Sequence, residues 1–482
     1  MHTHSVIRFI GILVFFLGLS MAFPFLVSVA YGEPDSMPLL YSMIIAMAIG
    51  TFLYLAAKKD EVKSLGHRDG VAIVTFGWIA AGFVGAIPYV VSGAIPDFTN
   101  AYFESLSGFT TTGASILQNI EGLPKGLLMW RSITQWFGGM GIIVLSIAIL
   151  PFLGVGGMQL YKAEVPSPVV DKLKPRISDT AKTLWKVYIL ITALEILFLF
   201  LGGMPIFEAV AHAFCTMPTG GFSPKNASIA HYNNPYFDTV VIVFMIVAGI
   251  NFSLHYKLLR GDLTIFRKDP ECRAYLTILL VFILLVTFDL YGTVYGSLVR
   301  AFRYATFQVS SIMTTTGFAT ANFDQWPTLS KKVLVLCMFL GAMAGSTGGG
   351  IKTIRLVLLA KHAYQEVFRI IHPHAITTVK LGRKVVPPEV LSGIWGFFIL
   401  YLVIFVISLL IMASLGLDLV SSFASVAACI FNVGPGLGMV GPTKNYILVP
   451  TLGKWVLIFC MLVGRLEIYT VVALLIPEYW RK

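Results

Sequence analysis

Residues 110–113 read TTTG, and residues 314–317 read TTTG again. Threonine hydroxyls and the peptide carbonyls of a tight turn are neutral oxygen donors. Rings of such oxygens replace the hydration shell of a monovalent cation in a selectivity filter. Glycine belongs in such a turn because it tolerates the positive φ that aims carbonyls toward a common axis. No Asp or Glu lies within these stretches, which argues against a Ca²⁺ or Mg²⁺ site built on carboxylates. Two further copies occur, "AHAFCTMPTGGF" at 211–222 and, weaker, "SVAACIFNVGPG" at 425–436. Aligned on one glycine each, the four give Gly113, Gly220, Gly317 and Gly434. The candidate cation donors are then Thr111, Thr112 and Gly113; Thr219 and Gly220; Thr315, Thr316 and Gly317; and Asn432, Val433 and Gly434.

The surroundings of the four copies match. Each follows an apolar run (71–92, 184–203, 274–297, 390–415) and then a segment of about a dozen residues, too short to cross a bilayer, which needs roughly 20. After each comes a polar loop and another apolar run (127–150, 237–259, 333–359, 453–476). Two spans per unit return the chain to the same side, so the four units run parallel. Irregular backbone at membrane depth is tolerated where it lines a water-filled cavity, and the C-terminal end of a short helix favours a cation there. The expected fold is an all-α polytopic membrane protein. It has four parallel units of span, pore helix, filter loop and span around one pseudo-fourfold pore, plus two extra N-terminal transmembrane helices. The divisions are 1–69 for the extra pair, then 70–160, 161–262, 263–380 and 381–482 for the units.

Composition agrees. The 482 residues are 57% hydrophobic and only 12% charged, where a soluble domain carries about 25% charged residues. The first apolar run, 8–30, exceeds the roughly 7–15 residues of a signal-peptide core and reads as a retained helix. The net charge of +11 is a topology signal, not a nucleic-acid patch. Most of the 35 Lys and Arg fall in loops on one side, which the positive-inside rule makes cytoplasmic, with both termini there. Five cysteines without a CxxC pair read as small buried hydrophobes. "GSTGGGIKT" (345–353) has Ile351 where a P-loop needs lysine. "GLGMVG" (436–441) lacks the strand of a dinucleotide fingerprint. Nothing anchors enzyme chemistry.

Two features suggest a gate. Glycine costs about 1 kcal/mol in a helix interior, so "GAMAGSTGGG" (341–350) should break its span. Gly345, Ser346, Thr347, Gly348, Gly349 and Gly350 are expected to form an intramembrane loop beneath the filter. Arg465, thirteenth in the run 453–476, is a positive charge near mid-bilayer, costly and functional by default. It is expected to help close the cation path with that loop; the alternative is a structural pair with an acid on another helix. Glu195 and Asp289 also sit inside spans, and structural pairing is their expected role.

The stretches "TTTGAS", "TMPTGGFSPKN", "TTTGFATANF", "FNVGPGLGMVGP", "GAMAGSTGGGIKT" and "GRLEIYT" resemble the Trk/Ktr/HKT superfamily of potassium transporters, closest to the bacterial TrkH type. The resemblance covers about 70–476, and the extra pair at 8–57 also matches that type. It implies a pore from four non-identical repeats and potassium uptake across the bacterial inner membrane. It further implies K⁺ as the transported ion with no organic cofactor on this chain, a homodimer, and a cytoplasmic nucleotide-binding regulatory subunit. Each turn lacks the "YG" that follows the filter glycine in potassium channels, so modest K⁺ over Na⁺ selectivity is expected. The alternative function is a secondary transporter coupling K⁺ to H⁺ or Na⁺. Such proteins commonly show inverted repeats, and these units run parallel.

Overall fold

A computed structural model describes residues 2–57, 66–148, 177–375, 377–382 and 384–481. Within these, the regular secondary structure is helical apart from one hairpin, Lys380–Leu381 against Lys384–Val385. Six helical segments are long and apolar enough to cross a membrane: Thr3–Tyr31, Ser36–Ala56, Arg68–Val91, Thr180–Leu201, Pro270–Leu290 and Pro388–Ser414. Two bent helix pairs raise that number to eight if each counts as one span. The burial pattern departs from that of a water-soluble protein, with large apolar side chains exposed and charged and polar ones buried beside an apolar core. Phe52, Leu201, Phe288 and Leu410 are exposed, while Glu104, Arg131, Gln135, Thr316 and Arg465 are buried.

The N-terminal segment is α1 (Thr3–Ser20), α2 (Ala22–Tyr31) and α3 (Ser36–Ala56). α1 and α3 meet at Gly11 and Gly50, where an added Cβ would lie 2.9 Å and 2.8 Å from the carbonyl oxygen of the opposite glycine. Small residues let helix backbones approach this closely in a bilayer.

Four successive groups of helices follow. The first is α4 (His67–Val91), α5 (Phe98–Phe109) and α6 (Lys125–Ala148). The second is α7 (Ile177–Leu201), α8 (Ile206–Thr216), α9 (Pro235–Ala248) and α10 (Phe252–Leu259). The short α11 (Ile265–Lys268) leads to the third: α12 (Pro270–Leu290), α13 (Leu298–Met313), α14 (Thr328–Phe339) and α15 (Thr353–Ile371). The fourth is α16 (Pro388–Ser414), α17 (Leu419–Ile430), α18 (Thr451–Arg465) and α19 (Ile468–Val472), with α20 (Pro477–Trp480) beyond. Helix starts obey local rules. Pro235, Pro270 and Pro388 open their helices, where a missing N–H costs nothing. Asp97, Asn234, Asp269 and Asp418 accept hydrogen bonds from first-turn amides.

The second long helix of the last three groups is not continuous; the break within 333–359 is expected from the sequence, whereas 237–259 and 453–476 are expected as unbroken runs. α9 and α10 bend by 102° across Gly249–Asn251, and Asn251 restarts the helix by capping Ser253. α18 and α19 bend by 118° at Leu466 and Glu467, the latter with φ of 60°. The third interruption spans 340–352, longer than the expected loop of residues 345–350, with Gly345 and Gly350 at positive φ. The expected boundary at 160/161 lies outside the described residues.

Candidate functional site

The four short helices α5, α8, α13 and α17 end in the same way. At the C-terminus of each, one residue with a side chain adopts left-handed backbone: Thr111 (φ 50°), Thr219 (56°), Thr315 (61°) and Asn432 (55°). The amide of the next residue reaches back five positions: Thr112 to Ser107, Gly220 to Cys215, Thr316 to Ser311, and Val433 to Ala428, at 2.8–2.9 Å. Both features define the Schellman helix ending, where the left-handed residue is usually glycine. A β-branched residue there is an outlier, and strain of about 1–3 kcal/mol per position persists only where the surroundings impose it. A glycine at positive φ follows two places on: Gly113, Gly221, Gly317 and Gly434.

The second copy is therefore one residue out of register in the sequence alignment. The equivalent of Gly113 is Gly221, and Gly220 corresponds to Thr112, Thr316 and Val433. The signal was present as a Thr-x-Gly or Asn-x-Gly spacing, 111/113, 219/221, 315/317 and 432/434. Two adjacent glycines made the choice ambiguous without backbone angles.

The four turns touch in cyclic order. A Cβ added at Gly113 would lie 2.2 Å from the carbonyl oxygen of Gly220. At Gly221 it would lie 1.9 Å from that of Thr316, at Gly317 2.2 Å from that of Val433, and at Gly434 2.6 Å from that of Thr112. One to two, two to three, three to four and four to one, the contacts close into a ring. No side chain fits at those glycines, so the neighbouring carbonyl edges converge.

Buried polar contacts brace the ring. Glu104 on α5 accepts from Arg131 Nε on α6 at 2.7 Å, from Ser115 Oγ at 3.0 Å and from the Ile116 amide at 2.9 Å. Arg131 donates onward to the Ser223 carbonyl at 2.9 Å and lies over the Phe222 ring. That pair ties the chain leaving the first turn to the chain leaving the second. Tyr446 donates to the Gly434 carbonyl at 2.6 Å. Asn432 Nδ2 donates to Thr112 Oγ1 at 2.9 Å. At the start of α17, Asp418 is exposed, and hydrogen bonds from Ser421 hold its carboxyl below the usual carboxylate range.

The 340–352 loop packs against one side of this ring. The break after α9 leaves backbone groups without helical partners, and the loop supplies them. Met343 N donates to Gly249 O at 3.0 Å, Phe252 N donates to Gly345 O at 3.0 Å, and Thr347 Oγ1 donates to Ala248 O at 3.2 Å. The loop also reaches the turns themselves. Thr347 Oγ1 donates to Met217 O at 2.8 Å, and Gly349 N donates to Thr315 Oγ1 at 2.7 Å. A Cβ on Gly349 would lie 2.7 Å from the Phe431 carbonyl. Ser346 is buried with its hydroxyl on Met343 O, and Lys352 Nζ folds back to Gly348 O.

Arg465 is the last residue of α18, at the bend rather than in mid-helix. It pairs with no acid among the described residues. Its guanidinium donates to Thr347 O on the loop at 2.8 Å and to Gly138 O on α6 at 3.4 Å, leaving Nε without a hydrogen-bond partner. Glu467 pairs instead with Arg355 of α15 at 2.7 Å, and Arg355 stacks on Phe397. Asp289 accepts from Ser330 N and Oγ at the start of α14, at 2.9 and 2.5 Å. Glu195 is buried and forms no ion pair among the described residues. All five cysteines are buried and free.

A family model described as TrkH, cation transport protein, matches residues 36–482. The chain belongs to the TrkH family of cation transport proteins. It is 42% identical to the Trk system potassium uptake protein TrkH of Escherichia coli K12, over the full length of both chains. It is 36% identical to TrkG of the same strain, covering 100% of this chain and 99% of that one. The crystal structure of the potassium transporter TrkH from Vibrio parahaemolyticus superposes with a TM-score of 0.91 and 37% identity, covering both chains completely. TrkH-family proteins transport ions and are not enzymes.

Proposed function

We propose that this chain carries K⁺ across the bacterial inner membrane through a channel-like pore on the axis of the four turns. The ring of turns is the observation that carries this reading: four helix C-termini, four strained residues and four glycines in cyclic contact. The units 70–160, 161–262, 263–380 and 381–482 each supply one quarter. Thr111, Thr112, Gly113, Thr219, Gly220, Gly221, Thr315, Thr316, Gly317, Asn432, Val433 and Gly434 form the filter. Their carbonyls and hydroxyls supply neutral oxygens to a dehydrated monovalent cation, and the partial negative ends of the short helices favour it.

Residues 345–350 with Arg465 form the gate. The loop has contacts with the second, third and fourth units, and Arg465 links it to the first. A guanidinium on the axis opposes a cation electrostatically, and the loop blocks it sterically. Opening requires the loop to give up the hydrogen bonds it shares with Gly249 and Phe252. Two chains assemble as a homodimer with two separate pores. A cytoplasmic nucleotide-binding subunit controls the gate from the cytoplasmic side, where both termini lie. The potassium uptake role of the relatives supports the choice of K⁺.

The test is flux of the purified chain in liposomes. Rb⁺ and K⁺ should move down their gradients without a proton or sodium gradient, faster than Na⁺ and Li⁺. Flux that appears only with a proton or sodium gradient would replace this reading with a coupled transporter.

A further inference from the structure

At the position between the strained residue and the glycine, the four units carry Thr112, Gly220, Thr316 and Val433. The threonines of units one and three bond the hydroxyls of Thr110 and Thr314, each at 2.8 Å. Unit two has no side chain there, yet the space is filled. Gln135, reaching across from α6 of unit one, donates from Nε2 to the Gly220 carbonyl at 2.7 Å and accepts at Oε1 from the Phe222 amide at 3.0 Å. A Cβ on Gly220 would lie 2.4 Å from Gln135 Cδ. Gly220 is not at positive φ, so the backbone does not demand glycine at this position. The hydrogen-bonded Gln135 amide occupies the place that a Cβ would take.

The Gly220 carbonyl is also the one that Gly113 abuts, and it is the second member of the ring Thr112, Gly220, Thr316, Val433. Among the described residues, no side chain donates to the other three carbonyls. We propose that Gln135 is a positioning residue that sets cation selectivity by holding the Gly220 carbonyl in place and weakening it as a ligand. This rests on the filter reading above.

Both effects act in one direction. An N–H donating to a carbonyl lowers the negative potential that carbonyl presents to a cation. Freed of its donor, the carbonyl becomes a stronger-field ligand, and stronger fields favour the smaller ion. Clamped between Gly220 and Phe222, the second turn also cannot contract around Na⁺. Losing Gln135 should therefore favour Na⁺ at the expense of K⁺.

The experiment compares three variants with the wild-type chain in liposomes, measuring K⁺ against Na⁺ flux. Gln135→Ala should conduct but with a K⁺ to Na⁺ ratio reduced about fivefold, the size expected from one net hydrogen bond. Gly220→Thr should lose flux, because its side chain collides with the amide. Combined with Gln135→Ala, the same threonine should regain it, since unit two then carries the residue that units one and three carry. Rescue is read as both monodisperse yield and flux, so a Gly220→Thr chain that does not fold still tests the pair. An unchanged ratio in Gln135→Ala, or a double variant as poor as Gly220→Thr, would overturn the role of Gln135. A wild-type chain without cation flux would instead overturn the filter reading.

Discussion

Thr111, Thr219, Thr315 and Asn432 hold backbone angles that glycine would adopt without strain. Thr111 Oγ1 has no hydrogen-bond partner among the described residues, so its cost brings no compensating bond from them. Thr111→Gly should raise thermal stability in detergent, relieving about 1 kcal/mol, while lowering the K⁺ to Na⁺ flux ratio. A variant more stable and equally selective would show that this hydroxyl does not serve the ion. The Glu104–Arg131 pair is a different case. Both side chains are almost fully buried, and removing one partner strands the other charge. Arg131→Ala should cost roughly 3–5 kcal/mol, read as loss of the monodisperse peak on size exclusion after mild heating. Retention of that peak would mean that Glu104 is already satisfied by Ser115 and Ile116.

At the scale of elements, three interrupted helices serve one another. The break after α9 exposes Ala248, Gly249 and Phe252, and the 340–352 loop takes up their hydrogen bonds. The break after α18 puts Arg465 at a helix end, free to reach two carbonyls on different units. Arg465→Ala should raise passive Rb⁺ flux about tenfold, a barrier lowered by about 1.4 kcal/mol. Deleting 345–350 should raise it at least as much. If both variants fold and conduct no faster than wild type, the gate lies elsewhere. The Arg355–Glu467 pair joins α15 to the α18 bend, linking the two elements of the proposed gate.

For the whole molecule, large apolar side chains are exposed on the outside, as a bilayer solvent requires, while polar groups are buried within an otherwise apolar interior. One chain supplies all four turns, so in the proposed dimer each copy would have its own pore. Light scattering in detergent should give two copies per particle. Mixing wild-type chains with conduction-silent ones before reconstitution should lower flux in proportion to the silent fraction. A steeper fall would mean that the pores depend on each other, or that one pore lies between chains.

The sequence by itself determined the membrane class, the fourfold recurrence of span, short helix, polar turn and span, and the glycine-rich interruption. Each is a local matter of apolar length, short-range spacing or helix propensity. It also singled out Arg465, because a charge inside an apolar run is visible in one dimension. Only the tertiary structure decided that Gly221, not Gly220, is the equivalent glycine, since that depends on a φ angle. It alone gave Arg465 its partners, Thr347 and Gly138, which lie 118 and 327 residues away. Gln135 was illegible for the same reason: a glutamine in an amphipathic helix has no local signature, and its meaning comes from the Gly220 turn of another unit. The bends after Ala248 and Arg465 were hidden because neither carries a glycine cluster like that at 341–350; only single polar residues such as Asn251, Arg465 and Glu467 stand in otherwise apolar runs. What interrupts them is the availability of outside hydrogen-bond partners for the freed backbone, a property of packing rather than of any short stretch of residues.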